Sequence, residues 1–159
     1  MNDTGPEPQS SGLRVTPSTR DQTAVLGGVL WLCRKSTLHQ YYPVGMLLQR
    51  IVPAIEIGQF RYYETTQGVP IGFCNWAYLS DPLLDAALHH NLVFEQSHWR
   101  SGPHIFVPEL LAPFGHCRHV VRDLRTNVAP PRQTIWSVRG AVAFGSDPAK
   151  GRVQRFLTR

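Results

Sequence analysis

Lysine is nearly missing from this chain: of 16 basic residues only Lys35 and Lys150 are lysines, and all the rest are arginines. Arginine suits bidentate contact with carboxylates and phosphates, although a GC-rich genome gives the same bias. Cysteine is scarce and scattered. Cys33, Cys74 and Cys117 form no CxxC pair, which argues against a disulfide scaffold or a cysteine zinc site and for reduced thiols in the cytoplasm. Long hydrophobic runs are also missing. The longest, Ala24 to Cys33, reaches about half of a bilayer span, so no membrane span is expected. It begins too far from the N-terminus, and lacks a small-residue cleavage site, for a signal peptide. No internal repeat is visible.

What is present describes an ordered protein. Hydrophobic residues make up 42% and charged residues 17%, the balance of a globular domain rather than a disordered chain. A length of 159 residues supports one domain with a real core. The net charge of +5 admits an acidic partner: nucleic acid, an anionic membrane surface or an acidic carrier protein. The arginines are scattered along the chain, whereas a nucleic-acid module clusters them among exposed aromatics. Residues 1–20, rich in Pro, Ser, Thr and Gly, read as a flexible tail, leaving 21–159 as the folded domain.

The element pattern is α/β, of the α+β kind. Asp21 or Thr23 can cap a helix running to about Lys35, apolar all round and so expected to be buried, with Gly27-Gly28 permitting close packing or a bend. Pro43 suits the first turn of a second helix over Val44 to Ile51, which Pro53 ends or turns into an extended segment. Gln59 to Thr65 and Val69 to Leu79 read as a hairpin about Thr66-Gln67-Gly68. Ser80-Asp81-Pro82 starts a helix to about His90. His104 to Leu111 reads as a strand, 116–126 as a helix, Gln133 to Val138 and Arg152 to Phe156 as strands. Together they make a mixed sheet flanked by helices.

His39 closes the first helical run, at a helix-to-loop junction. An imidazole can exchange protons near neutral pH, so it is a candidate catalytic group, although most histidines in loops are bystanders. His116 and His119 bracket Cys117, but ligands three apart without a third partner make a poor zinc signature, and no metal is expected. Trp31, Trp76 and Trp99 read as core aromatics, and Cys74 as a buried, inert thiol. Arg118, Arg122 and Arg125 lie along one face of their helix. That face is either solvated or meets an acidic partner.

Beyond His39, three strings match a known pattern: Pro70-Ile71-Gly72-Phe73-Cys74-Asn75-Trp76-Ala77-Tyr78-Leu79-Ser80, Trp99-Arg100-Ser101-Gly102 and Leu111-Ala112-Pro113-Phe114-Gly115. With Leu30-Trp31-Leu32, Leu38-His39 and Val52-Pro53-Ala54-Ile55 upstream, their order resembles the RTX toxin-activating lysine acyltransferases, across roughly residues 25–140. The resemblance implies a fold similar to the Gcn5-related N-acetyltransferases. It implies transfer of a fatty acyl group from acyl carrier protein to internal lysines of an RTX protoxin, in the cytoplasm. The family's essential histidine falls on His39. Its important aspartate falls on Glu109, one methylene longer, and Thr37 stands where the family usually has proline.

Within that reading His39 either removes the proton from the attacking lysine or carries the acyl group itself. Glu109 would hold the ring tautomer and stabilise imidazolium, as the third member of a triad does; its bland alternative is a surface ion pair. Gly115, His116 and Cys117, at a strand-to-helix junction, would receive the phosphopantetheine arm. Arg118 and Arg122 would meet the carrier. The donor is a substrate, so no bound cofactor is expected, and a homodimer is left open. An acetyl-CoA-dependent N-acetyltransferase and a non-catalytic basic binding module are the rival readings.

Overall fold

The computed structural model of the chain describes residues 13–16, 21–139 and 152–158. It bears out an α+β domain of mixed strands and flanking helices. The strands fall into two four-stranded sheets rather than one. Four residues of the expected tail, Leu13–Thr16, form strand β1; the rest of that tail lies outside the described residues.

Helix α1 spans Gln22–Lys35, and Asp21 caps it by accepting from the Thr23 N–H. Val25, Val29, Leu32 and Cys33 are buried, the i, i+4, i+7 stripe of a helix resting on a sheet. The opposite face is not buried: Leu30 is 48% exposed, so the expectation of a helix enclosed all round is corrected. A Cβ on Gly28 would come within 1.9 Å of the Tyr62 hydroxyl, whereas one on Gly27 would meet nothing within 4 Å. Close packing therefore belongs to Gly28 alone. After α1 comes a 3₁₀ turn, His39–Tyr41, then α2, Val44–Arg50. Pro53 neither ends a helix nor starts a strand; it sits in the first turn of α3, Val52–Glu56, where its missing N–H costs nothing.

Strands β2, Phe60–Thr65, and β3, Pro70–Asn75, form the expected hairpin. Gly68 takes φ +81° in the turn, and the Thr65 hydroxyl accepts from the Gln67 and Val69 N–H groups. The second arm, expected to continue to Leu79, breaks at Trp76. It resumes as β4, Ala77–Leu79, in the other sheet. The strand expected from His104 to Leu111 breaks likewise. β5, His104–Val107, belongs with β4, and β6, Leu110–Leu111, with β3. Proline at 108 cannot donate to a ladder, and the break falls there.

One sheet is therefore β1-β2-β3-β6, antiparallel throughout. The other is β4-β5-β7-β8, with β7 at Thr134–Arg139 and β8 at Arg152–Leu157; only β5 and β7 run parallel. Helix α4, Asp81–His89, covers one side of the second sheet. Helix α5, Cys117–Asp123, continues into a π turn, Leu124–Val128, and packs through Val120 and Leu124 on residues of both sheets. The Trp99-Arg100-Ser101-Gly102 string is structural. Arg100 donates to Gln59 and to the Ile57 carbonyl, each at 2.8 Å, and a Cβ on Gly102 would sit 2.4 Å from the Ser80 Cα.

Candidate active site

The two strand breaks lie side by side. Asn75, fully buried, donates its N–H to the Glu109 carbonyl at 3.1 Å, and its Oδ1 accepts the Glu109 N–H at 3.0 Å. Its Nδ2 donates to the Arg50 carbonyl at the end of α2. The point where the sheets part is thus sewn to α2. The Glu109 side chain, 3% exposed, emerges at that point.

Glu109 Oε2 lies 3.0 Å from His39 Nε2, and Oε1 accepts from Arg50 Nε. Arg50 Nη2 donates to the Pro108 carbonyl at 2.7 Å. The other ring nitrogen of His39, Nδ1, lies 2.7 Å from Ser36 Oγ, and that oxygen accepts the His39 backbone N–H at 3.3 Å. Ser36 is where α1 ends, so the helix terminus and the 3₁₀ turn bring the two side chains together. Burial would raise the Glu109 pKa, but the Arg50 charge and the His39 hydrogen bond outweigh it and hold the carboxyl below its ordinary range. An ionised carboxylate only accepts. In the neutral ring Nε2 therefore carries the proton, Nδ1 has the lone pair, and the Ser36 hydroxyl donates to it. The four side chains form one directed line, Ser36 to His39 to Glu109, with Arg50 closing its far end.

The ring is 8% exposed, yet it is not sealed in. Ser36, His39, Arg50 and Glu109 all line a cavity of about 1270 Å³. Among the described residues five arginines line it: Arg50, Arg118, Arg122, Arg125 and Arg139. Among the described residues Glu109 is the only carboxylate that does so. Another part of the wall is apolar, from Ala87, Leu92, Phe94, Phe106 and Val138. Neighbouring groups are kept neutral. Burial, then the Glu109 charge, pushes the Cys33 thiol up to about 12 and raises the Tyr42 phenol; burial chiefly lifts Cys74 to about 12.

Of the residues singled out in the sequence, the structure brings His39, Glu109, Cys117, Arg118 and Arg122 to this cavity. Gly115 and His116 stay outside its lining: Gly115, φ +86°, makes the turn before α5, and His116 caps that helix without a side-chain bond. Among the described residues no three His, Cys, Asp or Glu side chains group as a metal site would. Sequence reasoning missed Ser36, Arg50 and Asn75. A serine three residues before the histidine at a helix end was a usable signal; Arg50, 59 residues from its partner, left none.

A buried histidine–carboxylate pair thus opens on a cavity rich in arginine, and comparison with known proteins places the chain in a family. The RTX toxin acyltransferase family model matches residues 18–156. The chain is 46% identical to the lysine-acyltransferase RtxC of Vibrio cholerae serotype O1, over 83% of this chain and 88% of that one. It is 36% identical to the leukotoxin-activating lysine-acyltransferase LtxC of Aggregatibacter actinomycetemcomitans, over 83% and 74%. It is 30% identical to the RTX-I toxin-activating lysine-acyltransferase ApxIC of Actinobacillus pleuropneumoniae, over 83% and 73%. The chain belongs to the RTX toxin acyltransferase family, and it is an acyltransferase.

Proposed function

We propose that this enzyme moves a fatty acyl group from the phosphopantetheine thioester of acyl carrier protein to an internal lysine of an RTX protoxin, in the cytoplasm. The observation that carries the reading is the Ser36–His39–Glu109 line, 2.7 Å and 3.0 Å at its two joints, set in the wall of the cavity. A cavity with five arginines and one carboxylate among the described residues suits an anionic donor. Its apolar wall suits an alkyl tail. Arg118 and Arg122, together with Arg125 and Arg139, meet the carrier and its arm.

In the reaction the lysine amine attacks the thioester carbonyl, forming the amide C–N bond as the C–S bond breaks. The amine proton passes to His39 Nδ1 through, or in place of, the Ser36 hydroxyl, and the imidazolium returns it to the departing thiolate. Glu109 stays ionised and stabilises the imidazolium. Both ring nitrogens are already engaged, which favours His39 as base over His39 as nucleophile.

The same 2.7 Å contact supports a second route. Ser36 Oγ passes its proton to His39 Nδ1 and attacks the thioester, the ester C–O bond forming as the C–S bond breaks and the imidazolium protonating the thiolate. The lysine amine then displaces Ser36 Oγ, which takes the amine proton back. One experiment addresses all of this. Wild type and Ser36→Ala are incubated with acyl carrier thioester or acetyl-CoA, with and without protoxin, and all proteins are analysed by intact-mass and peptide mass spectrometry. The proposal expects acyl-lysine on the protoxin from the carrier thioester alone. Acetylation from acetyl-CoA only would overturn the donor, no transfer in wild type would overturn the enzyme reading, and an acyl mass on Ser36 without protoxin would select the ester route.

A further inference from the structure

Arg50 stands in no motif, yet it is bonded both to the Glu109 carboxylate and to the backbone beside it. Its Nε donates to the Glu109 oxygen that His39 does not use, its Nη2 donates to the Pro108 carbonyl at 2.7 Å, and its guanidinium lies 5.5 Å from the centre of the Phe94 ring. Its own carbonyl is fixed by Asn75, the residue that also holds the Glu109 backbone. Glu109 carries one methylene more than the aspartate its position resembles, and so has one more torsion to fix.

We propose that Arg50 is a positioning residue: it anchors the far oxygen of Glu109 so that the longer carboxylate meets His39 at hydrogen-bond distance. This rests on the acyltransfer reading above. The groups facing Glu109 are Arg50 from α2, His39 from the 3₁₀ turn, Tyr42 following that turn and Cys33 from α1. The thiol and phenol are both pushed up and stay neutral, and among these groups the guanidinium is the permanent cation. Without it, burial is opposed by His39 alone and the carboxyl pKa rises.

The test uses the full chain and compares wild type, Arg50→Met, Arg50→Lys and Arg50→Met/Glu109→Asp. Each is checked for folding by circular dichroism, and two readouts are taken. The first is the pH profile of kcat and KM for transfer from acyl carrier thioester. Arg50→Met is expected to lose at least tenfold in kcat with KM little changed, and its acidic limb to move to higher pH; Arg50→Lys recovers part of both. The second, independent of turnover, is ¹⁵N NMR of the His39 ring, in which the downfield Nε2–H proton bonded to carboxylate weakens in Arg50→Met.

An unchanged profile and an unchanged Nε2–H signal would overturn the proposal, as would a rise in KM alone, which would make Arg50 a donor contact. Should Arg50→Met fail to fold, Arg50→Lys decides by the same two criteria. If wild type transfers nothing, the acyltransfer reading fails, and the NMR comparison alone judges the positioning of Glu109.

Discussion

Replacing Glu109 with glutamine keeps the side-chain length and removes the charge, and the geometry sets how much should be lost. At 3.0 Å from Nε2, a glutamine amide can present either its oxygen or its NH₂. If the NH₂ turns toward the ring, it donates to Nε2, the proton moves to Nδ1, and the base is in the wrong tautomer. If the oxygen turns toward the ring, the tautomer survives but the imidazolium loses its counter-charge. Losing general-base function costs about 10²–10⁴ in rate, so kcat is expected to fall by about 10³, roughly 4 kcal/mol of barrier. The KM for acyl carrier thioester should hardly move, because the carboxylate is not placed to bind the donor. The variant also leaves Arg50, 16% exposed, without its partner. Breaking a buried pair from one side costs about 3–5 kcal/mol, less here because water reaches the guanidinium.

The same pair makes stability depend on pH. The folded Glu109 pKa lies below its ordinary 4.5, so the unfolded chain binds this proton more readily. The stabilisation is therefore full above about pH 4.5 and is lost as pH falls toward the folded value. Wild type should lose Tm on acidification over that window more steeply than Glu109→Gln does. The assay is single-turnover acyl transfer read by mass spectrometry, beside thermal melts at each pH. A glutamine variant within threefold of wild-type kcat, with an unchanged melt profile, would refute the reasoning.

Three other outcomes follow from the geometry. Arg122→Glu, on the exposed face of α5 at the cavity wall, is expected to raise KM for acyl carrier thioester about tenfold, with kcat and thermal stability kept; an unchanged KM in steady-state assays removes this arginine from donor docking. Ala87→Phe narrows the apolar wall and should depress transfer of long acyl chains more than short ones, which a competition among carrier thioesters of graded chain length would show. Gly28→Ala forces a Cβ into the Tyr62 ring at an overpacking cost of about 1–3 kcal/mol, more than the roughly 1 kcal/mol gained in helix propensity. Gly27→Ala meets open space and should raise Tm, so the two neighbours move the melt in opposite directions.

Local chemistry made several elements legible. A capping Asp21, a turn around Gly68 and the Ser80-Asp81-Pro82 start each announce themselves within a few residues, and the structure has an element at each. The strand breaks were not legible in the same way. The buried run continues through Trp76, because residues on both sides of it are buried, in different clusters. Pattern reports that a side chain is buried; it does not report which sheet the backbone pairs with. Pro108 is the one local sign of a break, since it cannot donate to a ladder.

The candidate site follows the same division. His39 could be reached from its place at a helix end, but Ser36 and Glu109 matter to it for opposite reasons of distance. Ser36 reaches Nδ1 because one helix terminus brings residues three apart into contact. Glu109 reaches Nε2 across 70 residues, and only because the chain leaves one sheet at Pro108 and enters the other at Leu110. Were β5 and β6 a single uninterrupted strand, residues 107 and 109 would share a face and Glu109 would be committed to a ladder position. The break releases it, and Asn75, at the matching break in β3–β4, takes over the hydrogen bonds that a ladder would have supplied. The two irregularities hidden within these buried runs are thus the structural reason that a carboxylate meets the histidine.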